Sequence, residues 1–305
     1  MATLQHDAPV LVKAIDRKEV VERLVREGKP QEIANTIWAM ATLQHDAPML
    51  AKAIDRKEVV EILVREGKPQ NIANTIWAMA TLQHDAPIMA KAIDRKEVVE
   101  RLVREGKPQE IANTIWAMAT LQHDAPMLAK AIDSKEVVER IVREETLQNI
   151  ANTIWSFGVL GLVRENEDSV RLLWDDSMRR QLGNFGDEAL RQFELTRLYA
   201  KSEGVELMTR SARRVTIGSP SRFENDTARE LEKFGFGGFE REVSPFEGDE
   251  GGELLKIDIA WVDKKVALEL DGPSHFLKSA KTGKEGRRNG PTEAKKRLLK
   301  SLGWK

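Results

Sequence analysis

Apolar positions along the first half of the chain fall at helical spacing. In PQNIANTIWAMATLQ, Ile72, Ile76, Met79 and Leu82 lie three or four residues apart on one stripe, with Pro69 in the first turn. After HDAP a second stripe runs through Ile54, Val60, Leu63 and Val64. Asp46, just ahead of Pro48, reads as its cap, and Gly67 as its stop. This pattern recurs. ATLQHDAP begins at Ala2, Ala41, Ala80 and Ala119, and the tryptophans of ANTIW are Trp38, Trp77, Trp116 and Trp155, both series stepping by 39 residues. The expected unit is a pair of helices. A single pair cannot bury its apolar face, so the units are expected to stack into an α-solenoid with a long concave surface.

Met1 aligns with Met40, Met79 and Met118, so the chain is expected to begin inside a unit. In the fourth copy REETLQNI replaces REGKPQEI, and the array is expected to end there in an atypical unit. The expected divisions are repeats over 1–157, a non-repeating helical extension over 158–203, a basic linker over 204–221 and a C-terminal module over 222–305.

The period changes in that module. SRFENDTARELEKFGF predicts a helix with Phe223, Thr227, Leu231 and Phe234 on one face. GFEREVSPF reads as a strand and GDEGGELL as an acidic loop. IDIAWV and VALELD read as strands joined at Asp263-Lys264-Lys265. TEAKKRLLKSLG predicts a last helix with Ala294, Leu298 and Leu302 aligned and Gly303 as its stop. A two- or four-residue turn in the hairpin pairs Asp258 with Glu269 across one face, which Asp271 shares. A three-residue turn abolishes that pairing. Opposed carboxylates repel unless water, a basic group or a divalent cation stands between them. Mg²⁺ held by one or two such groups polarises a phosphoryl oxygen and activates water.

Composition narrows the chemistry. The 305 residues are 41% hydrophobic and 32% charged, with net charge −1. The absence of cysteine excludes disulfides and thiol catalysis. No apolar run is long enough to span a membrane, so no membrane partner is expected. Within a unit the charges cancel, so the array is not a strong attractor of polyanions. The histidines His6, His45, His84 and His123 fall once per unit, too far apart at about 10 Å per stacked helix for one metal site. Gln31, Asn35 and Thr42 lie near one another on the first helix, and Asn74 and Asn113 repeat the asparagine. Two roles are open to them: capping buried backbone groups, or hydrogen-bonding successive bases of a single strand. The tail is basic. Lys278, Lys281, Lys284, Arg287, Arg288, Lys295, Lys296, Arg297, Lys300 and Lys305 face only Glu285 and Glu293. Such a segment attracts phosphate backbones.

The 39-residue period with Q-x-I-A-N-T-x-W-A resembles the octotricopeptide-type repeats of organellar RNA-binding proteins, over residues 1–157. IDIAW, KKVALELDGPSHF and TEAKKRLLKSLGW, in that order, resemble the RAP domain, over residues 222–305. That domain closes organellar RNA-metabolism proteins, FAST kinase relatives among them, and is similar to restriction-endonuclease folds. The resemblance implies a small α/β domain after the solenoid. It makes Asp258 and Glu269 the acids that would hold Mg²⁺ in a nuclease. Asp271 stands where the nuclease pattern has lysine. Lys295 is then the candidate replacement cation, and His275 the candidate acid/base or phosphate ligand. The family continues past L-G-W into a further strand, so the chain is expected to be truncated at both ends, with an open sheet edge. The implied function is binding of single-stranded RNA in mitochondrial or plastid RNA processing, stability or translation, with other RNA-processing proteins as partners and no cofactor needed for binding. The alternatives are a Mg²⁺-dependent endoribonuclease and a protein-interaction scaffold.

Overall fold

A computed structural model describes residues 4–144, 146–180, 186–208, 222–246, 254–279 and 285–305. Among these the chain is mostly helical, with a small antiparallel sheet region near its C-terminus. The linker segment RSARRVTIGSP, most of the acidic loop, Lys281 and Lys284 lie outside the described residues.

Each unit contains three helices rather than two. After α1 (Leu4–Ile15) and α2 (Lys18–Glu27), the units are α3 (Pro30–Thr42), α4 (Pro48–Ile54) and α5 (Lys57–Glu66); α6 (Pro69–Thr81), α7 (Pro87–Ile93) and α8 (Lys96–Glu105); and α9 (Pro108–Thr120), α10 (Pro126–Ile132) and α11 (Lys135–Glu144). The expected second helix breaks at Asp55-Arg56, where Arg56 turns extended (ψ 142°) and starts α5. The break frees the aspartate to act on the following unit. Asp16 accepts from the Leu50 N–H (2.8 Å), Asp55 from the Met89 N–H (2.8 Å) and Asp94 from the Leu128 N–H (2.9 Å). Each of these N–H groups is an orphan donor in the first turn of a helix one unit further on. Asp46 is therefore not the cap of α4. Ala47 holds the N-cap position without a side-chain bond, and Asp46 turns to His84 and Lys278 instead.

The first helices stack on one another: α3 on α6, α6 on α9, α9 on α12 (Leu147–Leu160), and α12 on α14 (Asp187–Ser202), while α13 (Glu167–Arg179) packs beside α11 and α12. Ile72, Ile76, Met79, Ile111, Ile115 and Met118 are fully buried in this stack. Each such side chain contributes about 1.5–3 kcal/mol. Bidentate pairs Arg56–Glu22 and Arg95–Glu61 link neighbouring units, but they are half-exposed and add little. Every first helix ends in the same way. Gln44, Gln83 and Gln122 take left-handed φ values of 55°, 58° and 52°. The next histidine N–H then bonds back to the methionine carbonyl five residues earlier, closing the helix end as a Schellman motif.

The C-terminal region opens with α15 (Arg222–Lys233). Its expected apolar face is not covered: Phe223 is 58% and Phe234 75% exposed, and only Ala228 is buried. Strands β1 (Glu240–Val243), β2 (Ile257–Trp261) and β3 (Val266–Leu268) form an antiparallel sheet in that order. Pairs Ile259–Leu268, Ala260–Ala267 and Trp261–Val266 give the four-residue turn, with Lys265 left-handed at its end. Trp304 and Lys305 run along the outer edge of β3, where the Ala267 N–H donates to the Lys305 carbonyl and the Lys305 N–H to Lys265. The basic tail opens with a second hairpin, β4 (Phe276–Lys278) and β5 (Glu285–Arg288), ahead of α16 (Gly290–Ser301).

This region packs on the array. Leu298 and Trp304 share a core with Ala119, Trp155 and Tyr199. Gly290 sits where a Cβ would overlap the Ala119 carbonyl, so α16 enters at the end of α9 only because that residue is glycine.

Candidate nucleotide-binding site

Along β2 the side chains of Ile257 and Ile259 are buried, so Asp258 between them faces the opposite side of the sheet. It faces a cavity of about 640 Å³ bounded by the sheet, α14 and α16. Asp258, Glu269, Asp271, His275 and Lys295, all singled out from the sequence, line this one cavity. The ladder register extended by one pair sets Asp258 across from Glu269, and Asp258 Oδ2 accepts from the Leu270 N–H at 2.7 Å.

Two basic groups supply the charge these carboxylates need. The Lys295 ammonium contacts Glu269 Oε2, while the other oxygen, Oε1, is buried without a partner among the described residues. Burial pushes the Glu269 carboxyl up to about 7, with Lys295 opposing this and the charges of Asp258 and Asp271 adding to it. Asp271 Oδ2 accepts from Arg288 Nε at 2.7 Å. His275 Nδ1 lies 3.1 Å from Thr292 Oγ1 and 3.4 Å from Asp271 Oδ1. Burial also raises Glu242, helped by the charges of Glu224 and Asp258. Among the described residues no three Asp, Glu or His side chains gather as a metal centre. A cation at Asp258 and Glu269 would have to displace Lys295.

Much of the basic tail is engaged inside the molecule. Lys278 pairs with Asp46 at 3.0 Å, and its backbone bridges the turn at Gln83 and Asp85. Arg287 forks onto Asp85 (3.0 and 3.3 Å) and donates to the carbonyls of Leu121 and Gln122 (both 2.6 Å), with His123 Nε2 2.7 Å away. Arg297 donates to the carbonyls of Gly158 and Val159. Lys296 lies 3.9 Å from Glu293. The contribution of Asp46, Asp85 and the unit histidines to holding this hairpin was not foreseen from sequence. Its one signal is the recurrent His-Asp pair.

On the array, Gln31, Asn35, Trp38 and Thr42 form one stripe along α3, three or four residues apart, and all four are exposed. Asn74 and Asn113 are half-buried at the same position, and among the described residues no hydrogen bond is made by the side-chain amides of Asn35, Asn74 or Asn113. The tryptophans grade inward. Trp38 is 42% exposed, Trp77 and Trp116 pack partly against the core, and Trp155 is buried, stacked on Trp116 with centroids 6.5 Å apart. At the far end, Gln148 Nε2 donates to both Asn152 (3.0 Å) and Gln192 (2.9 Å). Ser156 bonds back to the Asn152 carbonyl and Thr196 to the Gln192 carbonyl, so Gln192 on α14 takes the place of Asn152 on α12.

No known protein family matches the chain, and no solved structure matches it. No helix among the described residues is long and apolar enough to cross a membrane.

Proposed function

We propose that this chain binds single-stranded RNA through the first-helix stripe, as an octotricopeptide-like array joined to a RAP-like domain, and acts in organellar RNA processing, stability or translation. One observation carries this reading: Asn35, Asn74 and Asn113 repeat on stacked helices with their amides free beside partly exposed tryptophans. Amides and aromatic faces at a constant step suit unstacked bases. Because the units are nearly identical, a monotonous sequence is the expected target. The test is fluorescence anisotropy with the four homopolymeric RNA oligonucleotides. Replacing Asn35, Asn74 and Asn113 by Ala should weaken the preferred one by about 1–3 kcal/mol per lost base contact at most. Unchanged binding would sink the reading, and absence of binding would favour a protein-interaction scaffold.

A Mg²⁺-dependent endoribonuclease is the second reading. It is favoured by the convergence of Asp258, Glu269, His275 and Lys295 on one cavity. In it Lys295 must leave Glu269 and orient a phosphate, while Asp258 and Glu269 would hold the cation that activates water. Cleavage of labelled RNA by wild type, lost in Asp258→Ala and Glu269→Ala, would establish it; tight binding without products excludes it.

A further inference from the structure

Copies of one turn lie at 43–46, 82–85 and 121–124, each reading Leu-Gln-His-Asp. Their backbones match as well. Gln44, Gln83 and Gln122 are left-handed, and each following histidine N–H returns to the methionine carbonyl at 3.0, 2.9 and 2.9 Å. The hairpin of β4 and β5 covers the second and third copies.

At 82–85, β4 adds as an extended segment. The Lys278 N–H donates to the Gln83 carbonyl at 2.6 Å, and the Asp85 N–H donates to the Lys278 carbonyl at 2.9 Å, a parallel bridge beside His84. The Lys278 ammonium lies 3.0 Å from Asp46, the aspartate of the preceding copy, which also meets His84. Leu277, just before it, is fully buried in the array core. At 121–124 a side chain takes the same place. Arg287 donates to the Leu121 and Gln122 carbonyls and to Asp85, beside His123. Two successive copies thus each hold one cation with their own turn carbonyls and the aspartate of the copy before.

Turn 43–46 presents the same groups uncovered. Among the described residues the Gln44 carbonyl and the Asp46 N–H have no hydrogen-bond partner. Leu43 is 45% exposed, whereas Leu82 and Leu121 are buried. The repeat spacing assigns Asp7 to His45 as it assigns Asp46 to His84 and Asp85 to His123.

We propose that turn 43–46 docks an extended basic segment of a partner protein, an apolar residue followed by lysine or arginine. The basic residue exchanges main-chain hydrogen bonds with Gln44 and Asp46, and the apolar residue before it covers Leu43, so the partner adds to the array as a strand. Continuity with the interface on the next two copies identifies this occupant, because there the chain's own Leu277-Lys278 and Arg287 fill equivalent turns. The docking is independent of the RNA reading above. Because β4 is tethered and a separate segment is not, the separate segment binds weakly, with submillimolar affinity.

The test adds the peptide GPSHFLKS, the chain's own residues 272–279, to the full chain. Bound peptide should slow exchange of the Asp46 amide and leave the Asp85 and Lys278 amides unchanged. Anisotropy of labelled peptide should saturate and fall with added salt. A peptide with alanine in place of its lysine should bind several-fold more weakly. Leu43→Lys alters an exposed position, so its thermal unfolding should match wild type, and it should weaken the peptide about tenfold. Saturable binding that Leu43→Lys leaves unchanged would overturn the site. So would faster exchange at Lys278, which would mean that the peptide displaces β4 instead. No slowing at Asp46 with millimolar peptide would overturn it too. Slowing by homopolymeric RNA and not by peptide would give the turn to nucleic acid and refute the protein partner.

Discussion

Arg287 ties the C-terminal region to the array through several hydrogen bonds at once. Its guanidinium satisfies the Asp85 carboxylate and two backbone carbonyls across the junction. Burial alone would raise Asp85, but the hydrogen bonds from His123 and Arg287 outweigh it and hold the carboxyl at about 2. Relative to 3.8 in the unfolded chain, that corresponds to on the order of 2 kcal/mol favouring the charged form in the fold, shared between His123 and Arg287. Removing the guanidinium also leaves the Leu121 and Gln122 carbonyls without this donor. Charge-assisted bonds of this kind are worth about 1.5–3 kcal/mol. Arg287→Ala is therefore expected to cost about 2–4 kcal/mol in urea unfolding followed by tryptophan fluorescence. Amide exchange in β4 and in the turns at Gln83 and Gln122 should accelerate together. A depressed carboxyl contributes stability that is complete above the unfolded value and is lost as pH falls through the folded one. The gap between wild type and variant should thus be full at pH 7 and shrink between about pH 4 and pH 2. A double-mutant cycle with Asp85→Asn should show coupling of about 1 kcal/mol or more. An Arg287→Ala chain within about 0.5 kcal/mol of wild type at pH 7, with unchanged exchange in β4, would refute the attachment.

Other outcomes follow from single positions. Burial pushes Asp55 up to about 7 against the hydrogen bonds it accepts from Met89 and Ile88, so the fold loses stability as pH rises from 3.8 toward 7. Asp55→Asn keeps an acceptor for Met89 and should raise the urea-unfolding free energy at pH 8 by on the order of 2 kcal/mol, with no difference near pH 3.5. Gln44→Gly relieves a left-handed φ of 55° and should stabilise by about 1 kcal/mol, read from the same transition. The Thr81 hydroxyl is buried without a partner, so Thr81→Val should be neutral or stabilising by about 1 kcal/mol; clear destabilisation would point to an unseen acceptor.

The sequence reveals what local pattern controls. Period and helix starts at Pro30, Pro69 and Pro108 follow from spacing; the turn length at Asp263-Lys264-Lys265 stayed open in the sequence, and the observed ladder has the four-residue turn that sets the facing pair. The gathering of Asp258, Glu269, Asp271, His275 and Lys295 follows from that register plus one face of the last helix. Features whose partners lie far along the chain were not legible. Asp55 looks like a mid-helix residue until Met89 of the next unit is placed beside it. Lys278 and Arg287 look like a phosphate-binding tail until Asp46 and Asp85, roughly two hundred residues earlier, are brought against them. Charge counted over a window takes no account of ion pairs that only the tertiary fold creates. Phe223 and Phe234 fall on one helical face, as periodicity predicts, yet the described residues bring nothing to cover it.

The displaced caps give the array a direction. Asp16, Asp55 and Asp94 each complete a helix belonging to the following unit, so no unit finishes its own second helix. In a one-dimensional lattice of repeats this moves free energy from the intrinsic term to the nearest-neighbour coupling. An excised unit should be unfolded. Replacing one of these aspartates by Ala mid-array should weaken the coupling at that junction by about 1 kcal/mol.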